Sequence, residues 1–310
     1  MSPPPNVPDL RVSIAGIELK NPVIAASGTL GYGVEFEEIV SFDKLGAIVV
    51  KGLSREPMPG NPPPRIFETA AGMLNAIGLQ NIGVREFVSD RLPRLRRHKD
   101  VAVIANVFGC NIADYVEVIT VLNDGEGIAA YELNVSCPNT DAGGITFGSD
   151  PGVLQELVFA ATRKAERPVI VKLSPNVTSI AQMALAAEHA GADAVSLVNT
   201  FVAMAIDAET RKPRIANITA GLSGPAIKPI ALRMVYEAAH AVSIPIIGIG
   251  GITTATDVVE YMLAGSTAIQ IGTASFWDPV VTEDVVQALT NWCIEHRVEK
   301  ITELIGGLQV

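Results

Sequence analysis

Polar residues follow several short apolar runs of the sequence, at the points where strands are predicted to end. They comprise two lysines, three asparagines and a serine: Ser27, Lys51, Asn106, Asn134, Lys172 and Asn199. A single asparagine at such a position is more often a turn residue than a ligand. Six polar strand ends that converge on one rim would instead form a site for a flat, polar, anionic molecule.

The last two apolar runs end in glycine, at Gly250–Gly251 and at Gly272–Thr273. Glycine lets backbone N–H groups approach an anion closely, and a helix is predicted to begin after each pair. This pattern favours a phosphate site, although an ordinary tight turn would look the same. The sequence contains no GxGxxG dinucleotide fingerprint.

The segment ELNVSCPNTDAGGITFGSD (132–150) places Cys137 just after a predicted strand end, at the start of a glycine-rich stretch. A cysteine in this position can accept a proton, and a loop of this composition can close over a substrate. Cys110 also follows a predicted strand end and is the second candidate. Cys293 is predicted to be a small buried apolar side chain.

The segment NAIGLQN (75–81) brings amide side chains and backbone N–H groups close together, which suits a carboxylate or imide ligand. The preceding NPPPR (61–65) is predicted to be a stiff connection. The four histidines, at 98, 189, 240 and 296, fall in predicted helices without a common spacing. We therefore expect no metal site.

Eight apolar runs, rich in Val and Ile and without long alternation, are predicted to be strands buried on both faces of a parallel sheet. They cover residues 22–27, 43–52, 101–107, 129–136, 168–174, 188–200, 244–251 and 261–273. Helical patterns lie between them, as in residues 178–190, where Thr178 is the predicted N-cap. Eight alternating strands and helices predict a (β/α)8 TIM barrel, with functional residues at the carboxyl ends of the strands.

The 310 residues are expected to form a single barrel domain, preceded by a flexible proline-rich tail at residues 1–9. Residues 12–22 (VSIAGIELKNP) predict a small N-terminal β-hairpin. The segments 53–100 and 201–225 are long for βα loops and are expected to lie over the carboxyl-terminal face of the barrel. Loops of this length in a compact domain are usually functional.

The net charge of −10 argues against nucleic acid as a partner, because a phosphate backbone repels an acidic protein. Three cysteines without a CxxC pair fit a reducing compartment. The N-terminus lacks the features of a signal peptide, and no run of about 18 apolar residues could span a membrane. We therefore expect a cytoplasmic protein without membrane contact.

Six motifs carry a resemblance to a known family. They are NAIGLQN (75–81), NVSCPN (134–139), VKLSPN (171–176), VNT (198–200), GLSGPAIKPIALRMVYE (221–237) and IIGIGG (246–251). They resemble the dihydroorotate dehydrogenases, and the resemblance extends from about residue 10 to 305. It implies one FMN per chain and the oxidation of dihydroorotate to orotate in pyrimidine synthesis.

The resemblance also implies roles for individual residues. The FMN phosphate would lie on Gly224, Gly250, Gly251, Gly272 and Thr273. The flavin ring would contact Ser27, Lys51, Gly52, Asn106, Asn134, Lys172 and Val198. Dihydroorotate would be bound by Lys51, Asn75, Ala76, Ile77, Gly78, Leu79, Asn134, Asn199 and Thr200. Cys137 would remove the proton from C5 while the hydride leaves C6 for flavin N5.

Details of the motifs indicate a subclass. Cys137 as the base, without an N-terminal membrane helix, resembles class 1. The fumarate-using class 1A homodimers typically read NxxGLPN, whereas this chain has NAIGLQN, and its VKLSPN and GLSGPAIKPIALR stretches resemble class 1B. Class 1B implies a homodimer joined, in a heterotetramer, to an electron-transfer subunit that carries FAD and a [2Fe-2S] cluster and passes electrons to NAD+. Three dispersed cysteines could not hold that cluster on this chain, because it usually takes four.

Three alternatives stay open. One is a fumarate-dependent class 1A homodimer. Another is a related flavin dehydrogenase that acts on dihydropyrimidines, although such enzymes typically have SCPH where this chain has SCPN, ending at Asn139. The third is a non-catalytic barrel that binds a phosphorylated ligand, which predicts a colourless protein and leaves Cys137 and both rim lysines without a role.

Overall fold

The computed structural model describes residues 7–136, 138–139 and 145–309. Within them, eight parallel strands close into a barrel in which each strand pairs with the next along the chain and the last pairs with the first. The strands are β1 (Val23–Ala25), β2 (Ala47–Val49), β3 (Ala102–Val107), β4 (Ala130–Asn134), β5 (Val169–Leu173), β6 (Ala194–Leu197), β7 (Ile246–Ile249) and β8 (Ala268–Ile271). Each predicted run contains one of these strands, so the predicted TIM barrel is confirmed.

The barrel strands are buried on both faces. Every residue of β1, β2, β5, β6, β7 and β8 is buried, because inward side chains fill the barrel and outward ones pack against helices. This explains why the sequence shows apolar runs in place of the alternation of a half-exposed strand.

In the described part of the chain, six longer helices pack around the barrel: α1 (Ile112–Asn123), α2 (Pro151–Lys164), α3 (Ile180–His189), α4 (Lys228–Ala239), α5 (Ala255–Leu263) and α6 (Val281–His296). The predicted N-cap of α3, Thr178, is wrong by one residue, because the Ser179 hydroxyl accepts the hydrogen bond from the backbone N–H of Gln182. Short helical segments cover Phe42–Lys44, Val84–Glu86, Phe87–Arg91, Leu92–Leu95, Pro225–Ile227, Ala274–Trp277 and Ile301–Leu304.

The predicted N-terminal hairpin is also confirmed, since Val12–Ile14 pairs antiparallel with Ile17–Leu19. The flexible tail predicted at residues 1–9 is too long, because residues 8 and 9 are held by the rest of the structure. Pro8 is buried, and the backbone N–H of Asp9 donates to the carbonyl oxygen of Glu299 at 2.8 Å. Residues 1–6 of the tail lie outside the described residues.

Parts of the two long segments, expected as loops, form a four-stranded antiparallel sheet that we call the roof sheet. Its strands, in spatial order, are Phe201–Met204, Thr219–Ser223, Gly72–Asn75 and Ile66–Thr69. One face packs Leu74, Ala220 and Ile215 into a small second core. Two shorter antiparallel pairs are Ile206–Asp207 with Lys212–Pro213, and Pro138–Asn139 with Ile145–Thr146.

No helix in the described ranges is long and apolar enough to cross a membrane.

Candidate active site

A cavity of about 580 Å³ lies at the carboxyl ends of the barrel strands and is also lined by the roof sheet. It brings together all the predicted cofactor and substrate residues. These are Ser27, Lys51, Gly52, Asn75, Ala76, Ile77, Gly78, Leu79, Asn106, Asn134, Lys172, Val198, Asn199, Thr200, Gly224, Gly250, Gly251, Gly272 and Thr273. Cys137 lies outside the described residues, and its neighbour Ser136 lines the cavity.

The charge of the cavity is opposite to that of the chain. Lys51, Arg65 and Lys172 line it, and no Asp or Glu occurs among its described lining residues, although the chain carries a net charge of −10. Burial, and then the positive charge of Arg65, lower the pKa of Lys51 below its ordinary value. A cationic cavity in an acidic protein suits an anionic ligand.

Hydrogen bonds hold the asparagine side chains at the ends of β4 and β6. The Asn199 side-chain N–H2 donates to Oδ1 of Asn134 at 3.1 Å and to Oγ of Ser136 at 2.9 Å. Oδ1 of Asn199 accepts from the backbone N–H of Thr200 at 2.9 Å. The Tyr115 hydroxyl donates to the carbonyl oxygen of Asn134 at 2.7 Å. These polar groups are therefore oriented by the protein itself.

The glycine-rich end of the cavity is built from closely approaching backbones. Gly224 and Gly251 both have positive φ, and a Cβ on Gly251 would lie only 2.8 Å from the carbonyl oxygen of Gly224. The nearby Lys228 forms ion pairs with Asp257 and Glu260. At this end of the cavity a ligand would therefore contact main-chain atoms, because the Lys228 ammonium is paired with the carboxylates of Asp257 and Glu260.

A buried network beneath the mouth was not predicted from the sequence. Glu132 on β4 is fully buried and accepts hydrogen bonds from Asn106 (2.8 Å), Ser196 (2.9 Å) and Gln270 (2.6 Å). The ammonium of Lys172 lies 3.6 Å from Oε1 of Glu132. We call these five residues the floor network. The available signal was a carboxylate inside an apolar run, two residues before Asn134 and thus on the same face of β4.

Arg65, in the stiff NPPPR segment, is a cavity residue that the sequence analysis also missed. Its guanidinium donates to Oε1 of Gln80 at 2.7 Å and to the carbonyl oxygen of Asn61 at 3.2 Å. The Asn61 side chain in turn donates to the carbonyl oxygen of Ala76 at 3.0 Å. These hydrogen bonds hold the segment against residues 75–81, and the sequence signal for this role was a basic residue upstream of that amide-rich motif.

No group of three or more His, Cys, Asp or Glu among the residues that the structure describes could hold a metal ion. The predicted place in a helix is wrong for His98, which follows the helical segment that ends at Leu95, and for His240, which follows α4. The His98 ring packs edge-on against Phe42, with the ring centroids 5.3 Å apart.

The cationic cavity lies at the carboxyl-terminal mouth of the closed barrel, which is where TIM-barrel enzymes have their active sites. The fold and the site therefore place the chain in the class of TIM-barrel enzymes. The family model described as dihydroorotate dehydrogenase matches residues 9–292. The chain therefore belongs to the dihydroorotate dehydrogenase family.

Curated relatives match nearly the whole chain. The chain is 58% identical to the "Putative dihydroorotate dehydrogenase A (fumarate)" of Solibacter usitatus, over 97% of this chain and 99% of the relative. It is 52% identical to the "Dihydroorotate dehydrogenase B (NAD(+)), catalytic subunit" of Pelobacter propionicus, with the same coverage. The protein of that name from Citrifermentans bemidjiense is 50% identical, over 98% of this chain and 99% of the relative.

Proposed function

We propose that this protein is an FMN-dependent dihydroorotate dehydrogenase that oxidises dihydroorotate to orotate in pyrimidine synthesis. The observation that carries the proposal is the cationic cavity, which gathers every described residue that the family motifs assign to cofactor or substrate. Dihydroorotate is small, planar in part and anionic, as such a cavity requires.

The cavity residues fit FMN. Gly224, Gly250 and Gly251 form the close-packed backbone end that would hold the phosphate, together with Gly272 and Thr273. The ring would lie against the remaining strand ends, which are Ser27, Lys51, Gly52, Asn106, Asn134, Lys172 and Val198. Lys172 would place positive charge beside the ring, where reduction adds negative charge. When bound, FMN would supply the acceptor for the hydride from C6 of dihydroorotate.

Dihydroorotate would be bound between the floor and the roof of the cavity. We assign its carboxylate to Lys51 and to backbone and side-chain groups of Asn75–Leu79. Asn134, Asn199 and Thr200 would bind the ring amides, and the Asn134–Asn199 hydrogen bond orients both side chains before the substrate arrives. This preorganisation would hold C5 and C6 in a fixed position.

Cys137 is proposed as the base that takes the proton from C5. It directly follows Ser136, whose hydroxyl accepts from Asn199 in the cavity. The proton goes to the Cys137 sulfur as the hydride leaves C6, so the substrate loses one proton and one hydride in forming the C5–C6 double bond. A thiol with a pKa near 8.5 can serve in this role if nearby charge favours the thiolate.

NAD+ is proposed as the final acceptor, reached through a partner subunit that carries FAD and a [2Fe-2S] cluster. The relatives named catalytic subunit of an NAD(+) enzyme support this reading. We further propose a cytoplasmic homodimer joined to that subunit in a heterotetramer. Exposed apolar side chains on the roof sheet, at Val202 and Met204, and next to it, at Ile206 and Ile218, would be covered in such an assembly.

The test uses the chain expressed alone and mixed anaerobically with dihydroorotate, while the flavin absorbance is followed. We expect bleaching with dihydroorotate and none with dihydrouracil, which lacks the carboxylate. Colour should then return slowly with NAD+ or fumarate, and quickly with NAD+ once the partner subunit is added. Rapid recovery with fumarate would assign the class that the 58%-identical relative's name states. A colourless protein, or a flavin that does not bleach, would contradict the proposed function.

A further inference from the structure

We propose that Glu132 is a positioning residue whose buried negative charge holds Asn106 and Lys172 against the flavin and lowers the reduction potential of the cofactor. This inference rests on the proposed function, because it concerns the FMN that the cavity would bind. Glu132 does not line the cavity itself and acts through the two side chains that do.

The floor network links five strands through one carboxylate. Asn106 on β3 and the Lys172 ammonium on β5 face Oε1 of Glu132, whereas Ser196 on β6 and Gln270 on β8 donate to Oε2. Among the described residues, each hydrogen bond and ion pair of the carboxylate is thus with a donor, which suits its ionised form. The network therefore fixes the positions of the Asn106 amide and the Lys172 ammonium relative to a ligand in the cavity.

The charge of Glu132 acts over a short distance from a buried position. Its side chain is 0% exposed and that of Lys172 is 9% exposed, so solvent screens the pair weakly. The ammonium favours the negative charge of the reduced flavin, and the carboxylate 3.6 Å away opposes it. Removal of the negative charge should therefore raise the reduction potential of the bound flavin.

The network can accept a neutral amide in place of the carboxylate. Oε1 of Gln270 is buried and has no hydrogen-bond partner among the described residues. In Glu132→Gln, rotation of the Gln270 amide would present that oxygen to the new N–H2 group. We therefore expect the variant to fold, to bind FMN and to differ from the wild type chiefly in charge.

The experiment measures the reduction potential of the bound flavin anaerobically against a reference dye, and the dissociation constant for FMN, in the holoenzyme. For Glu132→Gln we expect the reduction equilibrium to move about tenfold toward the reduced flavin, equivalent to about 30 mV for a two-electron couple. Glu283→Gln is the matched control. Glu283 is also buried and accepts from Ser41 and Lys44, but it does not line the cavity or belong to the floor network.

A second variant should change the reduction potential in the opposite direction, and it tests the role of Glu132 if Glu132→Gln does not fold. Ser196→Ala removes a donor to the carboxylate but keeps its charge, so the potential should fall. An unchanged potential in Glu132→Gln, or an equal rise in Glu283→Gln, would overturn the role of Glu132. If Glu132→Gln is not obtained, a potential in Ser196→Ala that is unchanged or raised would do the same. A wild type that holds no flavin, or that dihydroorotate does not bleach, would overturn the proposed function and this inference together.

Discussion

The floor and the roof of the cavity are built in different ways. The floor network and the strand-end side chains lie on barrel strands, whose parallel register fixes their relative heights. The roof sheet instead joins two segments that are far apart in sequence, Ile66–Asn75 and Phe201–Ser223, and it covers only a small second core. The side chains proposed to contact the flavin ring therefore lie on or just after barrel strands, whereas Asn75, which is proposed to bind the substrate, lies on a sheet with its own small core.

Cys137→Ala should have the largest effect and should leave both regions intact. Loss of a general base is expected to slow dihydroorotate oxidation by about 10²- to 10⁴-fold, with FMN still bound. The measurement is the single-turnover rate of flavin bleaching, with Cys110→Ala as the control. Near-normal bleaching in Cys137→Ala, or an equal loss in Cys110→Ala, would remove Cys137 from the role of base.

Asn199→Ala tests the floor where it meets the substrate. The change removes a proposed substrate contact and the hydrogen bond that orients Asn134, so KM for dihydroorotate should rise about 10- to 100-fold. The dissociation constant for FMN should change little. A KM equal to that of the wild type would exclude Asn199 from the substrate site, and loss of FMN would show that the residue supports the cofactor.

Leu74→Ala tests the roof by itself. Leu74 is fully enclosed in the small second core, and its truncation should destabilise the roof sheet by about 2–5 kcal/mol. We expect a higher KM for dihydroorotate, retained FMN, and faster hydrogen exchange confined to residues 66–75 and 201–223. Leu157→Ala on α2 is the matched control, since it removes the same volume from the main core. If both variants raise KM equally, the roof does not act separately from the barrel.

Arg65→Gln should give the smallest change, in the pH dependence. Lys51 must be charged to bind the substrate carboxylate, and its lowered pKa means that binding weakens at a lower pH than for an ordinary lysine. Removal of the Arg65 charge should raise the pKa of Lys51 and move the alkaline limb of kcat/KM to higher pH. Arg85→Gln, at an exposed pair with Glu117, should leave the limb in place. If the alkaline limb of Arg65→Gln stays in place or moves to lower pH, the charge of Arg65 does not lower the pKa of Lys51.

The sequence predicts the floor better than the roof for a physical reason. Runs such as VAVIANV (101–107) identify buried parallel strands, and strand ends such as Asn106 then fall on one rim. Glu132 could have been found by the two-residue spacing from Asn134, but its donors come from strands far apart in the chain. The roof sheet pairs short strands, such as Gly72–Asn75 with Thr219–Ser223, whose pairing depends on the finished barrel beneath them.

The glycine-rich end of the cavity also bears on how freely the protein can be redesigned. Gly224 and Gly251 meet backbone to backbone, and Lys228 is already held by Asp257 and Glu260. If the phosphate is bound there by main-chain groups, most side chains around it carry no recognition to lose. Libraries that randomise the other positions of that neighbourhood should retain yellow clones at high frequency, provided that Gly224, Gly250 and Gly251 are left unchanged.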